Sequence, residues 1–64
     1  MELIRFAKLF INYVYDKAKI GIDFAECSLE KQGLGEQKDQ VIDYIYSLHK
    51  QGKTKQEVIN AITL

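Results

Sequence analysis

Proline and tryptophan are missing from this 64-residue chain, and cysteine and histidine occur once each, as Cys27 and His49. A single thiol cannot close an intramolecular disulfide, and one Cys with one His falls short of a structural zinc site. No cofactor is expected. A lone thiol suits a reducing compartment, so the expected location is cytoplasmic. An excess of one charge is also missing: nine Lys and Arg balance nine Asp and Glu. That balance argues against a strongly electrostatic nucleic-acid binder, while a local basic patch remains compatible with it. Long hydrophobic runs are missing too, because Glu2, Arg5, Lys8, Asn12 and Asp16 interrupt the apolar N-terminal stretch. Neither a signal-peptide core nor a membrane span fits there. Repeats and low-complexity segments are absent, so an ordered chain is expected.

What the chain has is helical periodicity. Arg5, Lys8, Asn12, Asp16, Lys19, Asp23, Glu26 and Glu30 follow one another at spacings of three or four, which confines them to a wedge of roughly 80° on one helix. A face held in phase over this distance predicts a single N-terminal helix over about 2–32, close to 45 Å long at about 1.5 Å per residue. Gly21 is its weak point, since glycine inside a helix costs about 1 kcal/mol relative to alanine. A break there, with one helix to about Ile20 and another from Asp23, is the alternative. The uninterrupted phase favours continuity with a bend at Gly21, and Lys19 and Asp23 would then form an i,i+4 pair.

Gly33 fits a left-handed C-terminal cap. A second helix is expected over about 36–51, with Val41, Ile42, Ile45 and Leu48 on its apolar side. Its acidic Glu36 and Asp39 come early and His49 and Lys50 late, the order the helix dipole favours. After Gly52, Thr54 and Glu57 match a capping box that would start a last helix over about 55–63. The expected fold is thus all-α and a single small domain: one long helix followed by a helical hairpin.

A domain of this size buries only about 60% of its unfolded surface and needs a staple or a partner. The hairpin can cover about half of a 45 Å helix, so association is expected to cover the rest. The seam of Ile4, Ala7, Ile11, Val14, Ala18, Ile22 and Ala25 follows a heptad-like spacing with small residues that admit a close neighbour. It is the predicted homodimer interface. Opposite net charges in the two halves of the long helix favour antiparallel pairing there. Phe6, Phe10, Tyr13 and Tyr15 are the candidate contacts to a different protein, because aromatic residues suit interfaces.

Catalysis has little to draw on. His49 reads as a solvated partner of a helix C-terminus, and Cys27 as a small hydrophobe whose acidic neighbours Glu26 and Glu30 disfavour the thiolate. The i,i+4 carboxylate pairs, Glu26 with Glu30 and Asp39 with Asp43, read as solvated faces because they lack a loop of further oxygen ligands. No enzyme and no metal site is expected. The segment from Ser47 to Ile59, with Gly52-Lys53-Thr54 at its turn, resembles the first two helices of a resolvase-type helix-turn-helix. That resemblance covers about 16 residues and implies phosphate contacts by His49, Lys50, Lys53 and Lys55. In that arrangement a recognition helix follows, whereas this sequence ends at Leu64. The expected function is therefore a small protein-binding regulator or adaptor acting as a homodimer. The alternative is a dimeric DNA-binding regulator using the hairpin around Gly52.

Overall fold

Among the described residues, four amphipathic helices form in sequence order: α1 over Glu2–Asp16, α2 over Ile22–Lys31, α3 over Gly35–Lys50 and α4 over Lys55–Ile62. They come from a computed structural model that describes residues 2–62, with the side chain of residue 2 left aside. No strand occurs among the described residues, so the chain is all-α as expected. Thr63, the expected last residue of α4, lies outside the described residues.

The long helix is not formed, and this corrects the expectation of continuity. α1 stops at Asp16 because Lys17 turns left-handed at φ 59°. Its N–H caps the Tyr13 carbonyl at 2.9 Å, and the Ala18 N–H reaches the Asn12 carbonyl at 3.3 Å. After residues 17–21, Gly21 at φ 80° re-aims the chain into α2, whose first turn closes with the Ala25 N–H on the Gly21 carbonyl at 3.0 Å. Left-handed φ is nearly free for glycine but costs a side-chain-bearing residue about 1–2 kcal/mol. Lys17 therefore carries strain that the fold-back must offset. What offsets it is burial, because α2 runs back along α1, with Leu9 beside Gly21 and Arg5 near Ser28. The greatest extent of the molecule is 33 Å, too short for a 45 Å rod.

Folding back puts α1 at the centre, packed against α2, α3 and α4 alike. The aromatic candidates and the seam expected on the long helix both contribute to the interior. Phe6 and Phe10 from one, and Ala7 and Ile11 from the other, join Ile22 and Leu29 of α2, Ile45 of α3 and Val58 of α4 in a single core. Fully burying a side chain such as Phe6 or Ile11 is worth about 1.5–3 kcal/mol, which exceeds the local cost at Lys17.

The remaining boundaries follow the expected local chemistry. Gly33, at φ 78°, ends α2 in a Schellman turn, with the Leu34 N–H on the Leu29 carbonyl at 2.9 Å and the Gly33 N–H on that of Glu30 at 3.1 Å. Gly52 repeats the motif after α3, where Lys53 N–H reaches the Leu48 carbonyl at 3.2 Å and Gly52 N–H that of His49 at 3.1 Å. The capping box is in place. Thr54 N–H donates to Glu57 Oε1 at 2.8 Å, and Glu57 N–H donates to Thr54 Oγ1 at 3.2 Å.

Candidate functional site

The fold redistributes the residues expected at interfaces. In the predicted dimer seam, Ala7, Ile11 and Ile22 are core residues, Val14, Ala18 and Ala25 are half-buried, and only Ile4 stands clear at 37% exposure. Ala7, Ile11 and Ile22 are thus interior to one chain, which removes them from the predicted dimer interface. Phe6 is fully buried and Phe10 nearly so, which removes both from the candidate contacts to another protein. Tyr13 and Tyr15 are half-buried. Tyr15 is also occupied, since its hydroxyl donates to the Lys53 carbonyl at 2.6 Å and its ring meets His49 edge-on at 4.9 Å.

Two apolar side chains are left in solvent instead. Ile20 is 87% exposed and Phe24 82%. They stand on either side of Gly21 along a groove of about 330 Å³ that Leu9, Ala25, Ser28 and Arg5 complete. Phe24 also borders a second groove with Cys27, Ser28, Lys31 and Gln32. At 100° per residue, Ile20 and Phe24 would share one face of a continuous helix with Phe6 and Phe10. Only the break between the helices separates a buried pair from an exposed one.

Charges also meet in unexpected combinations. Lys38, in the first half of α3, is 7% exposed and is the one charged residue taken inside among the described residues. Its Nζ donates to Glu30 Oε2 at 3.0 Å and lies 3.5 Å from Glu26 and 3.8 Å from Asp39. The Glu30 hydrogen bond raises the Lys38 pKa above its ordinary value; burial acts in the opposite direction, and the charges of Glu30, Glu26 and Asp39 add to the rise. Glu26 and Glu30, expected as a solvated face, thus clasp α2 to Lys38 of α3, and Asp39 adds its charge from the same helix as the lysine. Nothing in the sequence marked Lys38, because a lysine at one helix position carries no sign of the carboxylates that another helix will bring.

Lys19 does not pair with Asp23, since it precedes α2 and has left the helical register. Its Nζ sits 5.7 Å from the Tyr13 ring centroid instead. Of the charges expected to align two copies, Glu26 and Glu30 are answered within one chain by Lys38 of α3, and Asp16 of the basic half is tied to Lys55 of α4. Of the candidate phosphate contacts, Lys55 is therefore engaged, whereas His49, Lys50 and Lys53 are exposed around the Gly52 turn. Glu57 has its pKa lowered, first by the Thr54 N–H and then by the Thr54 hydroxyl, with burial opposing and the Lys53 charge assisting.

Cys27 is exposed beside Lys31 and Ser28, and His49 lines two grooves of a different part of the surface. The two are not brought together. Among the described residues no group of three or more His, Cys, Asp and Glu could hold a metal ion, and no helix is long and apolar enough to cross a membrane. Comparison of the chain with models of known families, with curated proteins and with solved structures gives no match.

Proposed function

We propose that the protein is a small non-enzymatic regulator or adaptor that works by binding, as a helical homodimer joined through Ile20 and Phe24. The observation that carries this reading is their exposure at 87% and 82% beside an apolar groove. Together the two side chains present roughly 300 Å² of surface, a size of patch that on soluble monomers is often functional. The face also contains both a projection and a hollow. Phe24 stands out, while at Gly21 the only neighbour a Cβ would meet is the Leu9 side chain, at 3.7 Å. A two-fold interface requires such self-complementarity, each Phe24 entering the other copy's groove. A face of this size falls short of the ~800 Å² per partner of a standard interface, so the dimer is weak and depends on concentration.

Light scattering behind size exclusion, across a range of protein concentrations, tests this. The expected mass rises from 7.4 kDa toward twice that value, and Phe24→Ser with Ile20→Ser abolishes the rise while circular dichroism stays helical. A monomeric mass at every concentration overturns the dimer. The alternative, duplex DNA reading by the α3–α4 hairpin, has less to stand on, because Lys55 is tied to Asp16 and α4 is packed through Val58. Steeply salt-dependent duplex binding that is lost on replacing Lys50 and Lys53 would restore it.

A further inference from the structure

The break after α1 has a second effect, away from Ile20 and Phe24. It brings Lys17 and Lys19, which precede α2, to the same groove as His49 near the end of α3. The walls of this groove, about 410 Å³ in volume, include Tyr13 and Tyr46. Both rings are anchored on the buried Phe10, with centroid distances of 5.8 and 5.4 Å, and Tyr46 is 46% exposed. Tyr46 and His49 also line the adjoining groove, where Lys50 stands together with Asp43. The two grooves therefore form one track with aromatic walls and a cation at several points along it. Among the described residues none forms an ion pair with Lys17, Lys19 or Lys50, in contrast to Lys38 and Lys55. Among the described residues, Asp43 is the one acidic residue lining either groove.

We infer that this track binds single-stranded nucleic acid, with a base against Tyr46 and phosphates at Lys17, Lys19 and Lys50. Stacking surfaces interleaved with cations are what strand-tracking proteins offer, since every base has a π face and every phosphate a charge. Continuity of the two grooves favours a strand over a free nucleotide, which would fill one of them. A duplex hides its base faces and gains nothing from the tyrosines. The zero net charge of the chain does not oppose a local basic track: Glu30 and Asp39 are gathered on Lys38, while Asp23 and Glu26 border only its Tyr13–Lys19 end, in an adjoining groove.

Fluorescence anisotropy of a labelled oligothymidylate of about 12 nucleotides, a length within the usual site sizes, tests the inference with the intact protein. Binding at low salt should weaken as salt rises with a logarithmic slope of about −2, as three phosphate contacts to a single strand require. Lys17→Glu with Lys19→Glu should weaken it at least about tenfold, whereas Lys31→Glu, the same change of charge per residue elsewhere, should alter it less than about twofold. Tyr46→Leu keeps apolar packing on Phe10 but removes the stacking face, and should weaken binding at least about fivefold with helicity intact. Absence of binding at low salt overturns the inference, as does equal loss on Lys31→Glu. Tighter binding of the matching duplex, or full competition by thymidine monophosphate at equal nucleotide concentration, also overturns it.

Discussion

At the scale of single residues, two left-handed positions decide the topology, and they are unlike each other. Gly21 adopts φ 80° at no steric cost, and a Cβ there would meet only the Leu9 side chain at ordinary contact distance. Backbone conformation, not space, therefore sets the consequence of Gly21→Ala. It should destabilise by about 1 kcal/mol in urea denaturation; a continuous helix would have given a gain of similar size. Lys17 at φ 59° should behave in the opposite sense, with Lys17→Gly stabilising by about 0.5–1 kcal/mol despite the added freedom of the unfolded chain. The glycine was visible in the sequence as a weak point, but the lysine was not. Lysine has no local preference for left-handed φ, and the conformation is imposed by the burial gained when α2 folds back.

Lys38 gives a pH signature at the same scale. Its pKa is raised in the folded protein, so its contribution is fully present below the unfolded value of about 10.4 and is lost as pH rises through the higher folded value. Alkaline pH acts on more than one group, which makes a control necessary. Lys38→Met fills the site without charge, and stability measured by urea between about pH 9 and pH 12 should fall less steeply in that variant than in the wild type. Parallel curves would show that Glu30, Glu26 and Asp39 do not hold the lysine in solution.

At the scale of elements, legibility in the sequence follows the range of the interactions. The Schellman turns at Gly33 and Gly52 and the capping box of Thr54 and Glu57 involve residues within five positions of each other, and all were readable. Thr54→Ala should accordingly cost about 1 kcal/mol and fray α4, seen as a loss of helical circular dichroism together with stability. The join between α1 and α2 was misread because phase is a weaker constraint than it looks. Two amphipathic helices of 15 and 10 residues each carry a polar face, and a five-residue connection can keep those faces in step by coincidence. Once the join is broken, the site residues change with it. Phe6 and Phe10 go inside, Ile20 and Phe24 stay out, and Lys19 leaves Asp23 for Tyr13.

At the scale of the molecule, α1 touches every other helix and contributes half of the eight core residues. The sequence implied that its apolar girth needed covering, and that was sound; the cover comes from the same chain. The basic track and the Ile20–Phe24 face were both illegible, since each joins residues of the 17–21 connection to residues of a helix, at a turn that periodicity could not locate.

A hub of this kind also governs how the protein comes apart. Peeling away α2, α3 or α4 alone would open water onto Phe6 or Ile11, so none of them has a partner on which to persist as a separate unit. Amide protons along the middle of α1 should therefore exchange with deuterium only when the whole chain opens, and their exchange free energy should equal the global unfolding free energy. A proteolytic cut in any connection would act on all four helices at once, so its fragments would be cleared as unfolded peptides and would not survive as a smaller domain.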